Sequence, residues 1–209
     1  MTIELAHDKP AGDVVYPLRL LIAPEGRRIT VWESLLCEVE AIAALLEAGG
    51  DPEQVLLELL APRMAVEGYL PLPRAMAPIL IWQSRDPPVC PMLSSVIPLA
   101  AASDCGWALT HSRADLPRGV SDVWVVVEEG KVVAAAWLCE REIAVETAPT
   151  YRRRGFARAV AAALIRACSA DGRAVVYRCL AANAASAALA ESLGLFPTAR
   201  EYRPGFRRT

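Results

Sequence analysis

The segment from Glu142 to Ala170 constrains the fold more than any other part of this sequence. Its first six residues alternate between two faces, as strand residues do, with Glu142, Ala144 and Glu146 on one and Ile143, Val145 and Thr147 on the other. After a short basic loop, the run Gly155–Ala170 repeats apolar residues at helical spacing, and Asp171-Gly172 leads into a further β-run, Ala174–Leu180. A strand, a helix and a strand in this order predict a crossover connection with the helix packed on the sheet.

The regions on either side of this segment continue the same pattern. Two β-runs, Val123–Val127 and Val132–Leu138, precede it, and Glu129-Gly130 between them favours a tight antiparallel turn. A short alanine-rich helix is expected from about Asn183 to Leu193, and a closing strand or hairpin in Phe196–Arg203. The sequence therefore predicts a mixed α/β fold.

The first half of the chain reads as helices separated by prolines. Thr30, with Glu33 three residues later, predicts a helix start, and Gly49-Gly50 predicts its end. Asp51-Pro52 predicts the start of a second helix, which we expect to end at Pro62. Residues 1–95 contain no functional motif, so we expect a helical, proline-rich region of unassigned role.

Composition excludes several classes of protein. Lys and Arg total 22 and Asp and Glu total 24, a net charge of -2 that argues against a polyanion-binding protein. Six cysteines without a CxxC pair and only two histidines give no spacing for a metal site and are typical of reduced, cytoplasmic thiols. The longest uncharged stretch, 87–103, is broken by four prolines, and the first residues lack an apolar signal-peptide core. We expect a cytoplasmic protein with no metal and neither nucleic acid nor membrane as a partner.

The basic loop between strand and helix, 151–157, is the segment that carries chemistry. The first amides of a helix have no intrahelical partner, and the helix dipole adds positive charge beside them. Gly155 lets the backbone approach a ligand, and the arginines before it add fixed charge. Such a helix start binds phosphate or pyrophosphate. The alternative is a basic loop that only connects a strand to a surface helix.

Further residues support the phosphate interpretation. Arg152-x-x-Gly155-x-Ala157 after a strand resembles the acyl-CoA pyrophosphate loop of the GNAT superfamily of N-acetyltransferases. Asn183 and Ser186, followed by Leu193-Gly194, are similar to a second segment of that family.

The resemblance covers roughly residues 96–202. Thr147-x-Pro149-x-Tyr151 resembles a bacterial branch of the superfamily with an extra N-terminal region. It implies a mainly antiparallel central sheet flanked by helices, with residues 96–209 as an acetyl-CoA-binding domain after the helical region 1–95.

The resemblance also implies which residues contact acetyl-CoA. Loop amides of the family hold the pyrophosphate, a role that falls on Arg153, Arg154, Gly155, Phe156 and Ala157, with side-chain charge from Arg152, Arg153 or Arg154. A bulge in the preceding strand frees backbone groups for the pantetheine arm and the thioester carbonyl, which here belong to Val145, Glu146 and Thr147. Asn183 would bond to the pantetheine arm and Ser186 could reach the cofactor, although Asn183 equally suits a helix N-cap.

The acid and base of the reaction are less defined. An amine nucleophile must lose a proton, and Glu146 and Glu142 are the candidate bases, unless either faces solvent or pairs with an arginine. His111 precedes the hairpin, where acceptor-site residues often fall in this fold, although a loop histidine is commonly only solvated. Ala190 stands where many family members have a tyrosine that acts as general acid for the leaving thiolate. Tyr177, Tyr202 or a water would have to take that role here.

The function implied is transfer of an acetyl group from acetyl-CoA to a primary amine, by direct attack in a ternary complex. The alternative, suggested by Ala190, is a non-catalytic acyl-CoA-binding sensor or structural module. Nucleic-acid binding through Arg152–Arg154 and Arg158 is a third interpretation, opposed by the short cluster and the negative net charge. The acceptor, a small molecule or a peptide, is not defined by the sequence, and the exposed sheet edges of such folds leave a homodimer open.

Overall fold

The computed structural model describes residues 1–6, 13–73, 76–83, 95–111, 116 and 123–209; His7 and Cys90 lie outside these ranges. Up to residue 83 the regular elements are β1 (Thr2–Ala6), β2 (Val14–Val15), β3 (Leu18–Ala23), β4 (Gly26–Trp32), α1 (Leu36–Glu47), α2 (Pro52–Val66), β5 (Tyr69–Pro71) and β6 (Ile79–Gln83). From residue 95 they are β7 (Val96–Pro98), β8 (Gly106–Trp107), β9 (Val123–Glu128), β10 (Lys131–Cys139), β11 (Glu142–Thr147), α3 (Phe156–Ala170), β12 (Val176–Leu180), α4 (Ala184–Ser192), β13 (Phe196–Tyr202) and β14 (Phe206–Arg208).

The chain divides into two compact units that do not follow the expected boundary after residue 95. The first contains Met1–Ile81, Cys179–Asn183 and Thr198–Thr209, and the second contains Trp82–Arg178 and Ala184–Pro197. The C-terminal residues belong to the first unit because β13 pairs with β3 there, and β14 pairs with both β2 and β5.

The first unit has two sheets and a helical hairpin. β4 lies between β1, which is parallel to it, and β3, which is antiparallel. The helices α1 and α2 pack against each other, and their apolar faces join strand residues in one core. Its largest fully buried side chains include Leu18, Leu20, Ile29, Leu35, Ile42, Leu56, Leu60, Met64 and Phe206.

Three expectations for this half of the chain are wrong. The region is not purely helical, since β1 to β5 all precede residue 72. Thr30 caps no helix: it lies inside β4, opposite Arg19 of β3, and α1 begins only at Leu36 after a 3-10 turn. Pro62 does not end α2, which continues to Val66 with Leu60 and Met64 fully buried on either side of the proline. The burial of this face outweighs the hydrogen bond lost at Pro62.

The second unit confirms the expected order of hairpin, strand, helix and strand. Glu129 and Gly130 both have positive φ, as a two-residue hairpin turn requires, and they join β9 to β10. β10 pairs with β9 on one side and β11 on the other, and all its residues from Val132 to Leu138 are buried. The helix α3 packs on β9, β10 and β11, with Val160, Leu164 and Ile165 fully buried.

The crossover predicted from the sequence is present. β11 leads through a loop and α3 to β12, which lies parallel to β11 at the pair Glu142–Val176. The loop before α3 therefore emerges at the C-terminal end of β11, where ligands bind in open α/β sheets. None of the described helices is both long and apolar enough to span a membrane.

Candidate active site

The basic loop before α3 is exposed and held in an unusual backbone conformation. Arg152, Arg153, Arg154 and Gly155 are exposed, and Arg153 and Gly155 have positive φ values of 65° and 82°. Left-handed residues within a turn form the backbone concavities that bind anions. Two contacts order the loop: Arg152 Nε donates to the Thr147 carbonyl at 3.3 Å, and the Arg154 guanidinium lies over the Tyr151 ring at 5.0 Å.

The start of α3 offers unsatisfied donors to a ligand. Gly155 occupies the N-cap position, no side chain caps the helix, and the first helical bond runs from the Ala159 N–H to the Gly155 carbonyl at 3.0 Å. The amides of Phe156 and Ala157 precede that bond and have no intrahelical acceptor. A Cβ on Gly155 would meet no atom within 4 Å, so the space beside this backbone is open. Open space, uncapped amides and arginine charge together fit a pyrophosphate.

The edge of β11 next to the loop is also open. Ala148 N–H donates to the Val133 carbonyl at 2.8 Å, so by the alternation of an antiparallel ladder the backbone groups of Glu146 point toward β10. Those of Val145 and Thr147 point to the opposite edge. Among the described residues, that edge pairs with β12 only at Glu142, so it is unpaired beside the loop. An extended ligand can pair with such an edge as an added strand does.

The open edge is made without the bulge that the resemblance implied. The pairing of β10 with β11 is continuous from Ala134–Thr147 to Cys139–Glu142. The register shift lies instead between β10 and β9, at Val132 and Ala134. Divergence of β11 from β12 leaves the backbone of Val145 and the N–H of Thr147 without a strand partner, and the Thr147 carbonyl accepts from Arg152, whereas the backbone of Glu146 is engaged with β10. The backbone of Glu146 is therefore not available for the role that the resemblance implied, and its side chain contacts Thr110 and His111.

The Glu146 carboxylate binds a loop that is distant in sequence. Thr110 N–H donates to Oε1 at 2.6 Å, and His111 N–H donates to Oε2 at 3.3 Å. The His111 imidazole Nδ1 also lies 2.9 Å from Oε2. Burial raises the pKa of Glu146, but the hydrogen bonds from His111 and Thr110 outweigh it and leave the pKa lowered. Glu146 is therefore a carboxylate at neutral pH.

The backbone and aromatic neighbours of His111 fix its position further. Trp107 Nε1 donates to the His111 carbonyl, and the edge of the imidazole meets the Trp137 ring at 6.2 Å between centroids. The imidazole remains largely exposed, at 64% of its side-chain surface. His111 is thus oriented by its contacts with Glu146 and Trp137 although much of its side chain is exposed, and it is not the freely solvated histidine that the sequence left open.

Glu142 and Asn183 have other partners. Glu142 Oε1 forms an ion pair with Arg178 Nη1 of β12, the alternative left open for this residue. It lies four residues before Glu146, about 13 Å along the strand, so the structure does not bring the two candidate bases together. Asn183 immediately precedes α4, and its N–H donates to the Leu180 carbonyl at 2.8 Å.

A tyrosine and a serine meet near the start of α4. The Tyr177 hydroxyl lies 2.6 Å from Ser186 Oγ, and the tyrosine is 5% exposed. Ala190 is fully buried one turn further along the same helix. Tyr202 packs in the core of the first unit, where burial raises its pKa, so it stays protonated.

The comparison with protein families finds a match, and it falls on this region. Residues 124–203 match the model of the GNAT acetyltransferase family. Over this segment the chain is similar to GNAT acetyltransferases. The match covers β9 to β13 and therefore includes the loop, the edge of β11, Glu146 and Ser186. The family implies acyl transfer from an acyl-CoA.

Solved structures share the fold. A protein described as a GNAT-family acetyltransferase from Novosphingobium aromaticivorans is 21% identical with a TM-score of 0.51, over 68% of each chain. A Drosophila protein is 14% identical with a TM-score of 0.52, over 74% of this chain and 57% of its own. No curated protein matches the sequence. These similarities establish a fold with a mainly antiparallel sheet flanked by helices.

Proposed function

We propose that this protein is an acetyl-CoA-dependent N-acetyltransferase that acts on a primary amine by direct attack in a ternary complex. The observation that carries the proposal is continuity along one stretch of chain. The open edge at Val145 and Thr147, the basic loop and the uncapped start of α3 follow one another within 13 residues, Val145–Ala157. An extended chain that ends in a pyrophosphate matches these features in that order.

The residues divide the binding of acetyl-CoA between them. Amides of Gly155, Phe156 and Ala157 would bind the pyrophosphate, with charge from Arg152, Arg153 and Arg154. Backbone groups of Val145 and Thr147 would pair with the pantetheine arm, and a free N–H there would polarise the carbonyl of the acyl group. Bound acetyl-CoA supplies an activated thioester. Asn183 and Ser186 remain proposed contacts for the arm.

The charge and position of Glu146 support an amine as the acceptor of the acyl group. Its carboxylate is ionised at neutral pH and lies on the strand whose open edge would hold the acyl group. Negative charge at that position attracts an ammonium group and stabilises positive charge beside the strand. The buried Ala190 supports the second candidate, a non-catalytic acyl-CoA-binding module, because it leaves no acid at the usual position.

Calorimetry with acetyl-CoA tests the binding site. We expect micromolar affinity, about -8 kcal/mol, for the native protein. Gly155→Asp and Gly155→Asn have similar size and both tolerate a positive φ, so the pair isolates charge. The aspartate should weaken binding at least about 30-fold, and the asparagine less than about 10-fold. Gly172→Asn, at a positive-φ glycine beyond the other end of α3, controls for folding and should bind normally.

Release of CoA then separates the two candidate functions. A panel of primary amines, including polyamines, amino acids and peptide N-termini, is incubated with acetyl-CoA, and free thiol is measured. Thiol release that depends on one class of amine supports the transferase. Tight acetyl-CoA binding without release from any amine supports the binding module instead. Absence of acetyl-CoA binding would reject both.

A further inference from the structure

We propose that His111 is the proton acceptor for the amine, and that Glu146 is the residue that positions it. This inference rests on the proposed function, and it assigns the base to a different residue from the two glutamates that the sequence suggested. It depends on the contacts that join the segment containing Thr110 and His111, which we call the His111 loop, to β11. Thr110 and His111 approach Glu146 from 36 and 35 residues earlier in the chain.

The hydrogen bond determines which ring nitrogen is free. An ionised carboxylate has no proton to donate, so Nδ1 must carry the hydrogen in its 2.9 Å contact with Glu146 Oε2. In the neutral imidazole the lone pair then lies on Nε2, at the other side of the ring. The side chain of His111 is 64% exposed, and we infer that an amine can reach this nitrogen. A histidine activated as a base has this arrangement, with a free lone pair on one ring nitrogen and an orienting carboxylate bound to the other.

Glu146 is less suited than His111 to take the proton itself. Its two oxygens already accept hydrogen bonds from Thr110 and from His111. Those bonds stabilise the charged form, which weakens the carboxylate as a base. Histidine is the side chain that most often serves as a general base in enzymes. Glu146 is the charged side chain that the described contacts place against the imidazole.

The aromatic contacts keep the ring in this orientation. Trp107 Nε1 holds the backbone carbonyl of His111, and the Trp137 ring meets the imidazole edge. Trp137 is itself 9% exposed and packed in the core of the second unit, so it cannot follow a moving ring. The imidazole is therefore held by its hydrogen bond to Glu146 and by its contact with the Trp137 ring.

The protons of the transfer balance through His111. An ammonium group gives one proton to Nε2, which leaves the nitrogen lone pair free to form a bond to the thioester carbonyl carbon. The carbon–sulfur bond then breaks with its electron pair on sulfur. The second proton lost by the nitrogen goes to that sulfur, and the imidazolium returns its proton to solvent. The products are the N-acetyl amine and free CoA thiol.

The tautomer of His111 can be measured without any substrate. In ¹⁵N-labelled protein at neutral pH, long-range nitrogen–proton NMR distinguishes an imidazole protonated at Nδ1 from one protonated at Nε2. The sequence holds two histidines, so His7→Asn assigns the signals. We expect Nδ1–H for His111, and a change of tautomer or a mixture in Glu146→Gln. An Nε2–H tautomer in the native protein would overturn the proposal, whether or not the protein is a transferase.

Kinetics with the active amine provide the second test. His111→Gln should lower kcat about 100-fold, with acetyl-CoA affinity unchanged within about twofold. His111→Ala should recover activity when imidazole is added to the solution. A His111→Gln variant that keeps kcat within about threefold would refute the role of His111. Failure of acetyl-CoA binding in the native protein would instead refute the proposed function.

Discussion

Glu146→Gln tests whether the carboxylate anchors the His111 loop. The substitution keeps the size of the side chain but removes the charge that accepts bonds from Thr110 N–H at 2.6 Å and His111 Nδ1 at 2.9 Å. A hydrogen bond to a charged group contributes about 1 kcal/mol more than a neutral one. The third bond, at 3.3 Å, is long and adds little. Two short bonds are weakened in this way, and the glutamine amide also turns one N–H toward a donor. The free energy that holds the loop against β11 therefore falls by about 2 kcal/mol.

Amide hydrogen exchange measures this loss where it occurs. The Thr110 and His111 amides should exchange about 30-fold faster in Glu146→Gln than in the native protein at pH 7, the equivalent of about 2 kcal/mol. A local measurement is preferable because a chain with two units need not unfold in a single step. Glu142→Gln, on the same strand, is the matched control and should leave both amides unchanged.

The effect has a defined pH dependence. The pKa of Glu146 is lowered from 4.5 in the folded protein, so its stabilisation is fully present above about pH 4.5 and is lost as the pH falls through the lowered value. Protonated Glu146 resembles glutamine, and the difference between the two proteins should therefore shrink in acid. Equal amide exchange in both proteins at pH 7, or a difference that persists unchanged in acid, would refute the anchoring role.

Three further outcomes are expected. Glu142→Gln should keep kcat within about twofold, measured by CoA release, because the surface ion pair with Arg178 contributes only about 0.5 kcal/mol and no catalysis. Leu164→Ala should destabilise the protein by about 3 kcal/mol in urea unfolding, because this fully buried side chain packs α3 on the sheet. Arg19→Ala should cost about 3 kcal/mol in the same assay, because it removes the 3.0 Å partner of the fully buried Glu201 and leaves that charge with Arg203.

The second half of the fold was predictable because its signals are local. Alternation over Glu142–Thr147 gave the bounds of β11 without error, and the Glu129-Gly130 turn fixed the hairpin. The first half was predicted less well because pairing between distant segments overrides local propensity. Thr30 carries a helix-capping signal, yet its backbone pairs with β3 and its strand continues the sheet to β1.

Some features of the candidate site could likewise be predicted from the sequence and others could not. The position of the basic loop before α3 was predictable because Arg152, Gly155 and Ala157 lie together in the chain between a strand and a helix. The contact between His111 and Glu146 was not, because 35 residues separate the two and no spacing rule relates a loop to a strand. The one available signal was the position of His111 before the hairpin.

The geometry of β11 would bring the proposed cofactor site and the proposed base together. Successive residues of a strand are about 3.3 Å apart and direct their side chains to opposite faces. Val145 and Thr147 present backbone groups to the open edge, while Glu146 between them pairs its backbone with β10 and uses its side chain to hold His111. The edge proposed for the acyl group and the carboxylate that orients the proposed base are thus consecutive residues. A substitution that shifted β11 by one residue would exchange these roles and remove both at once.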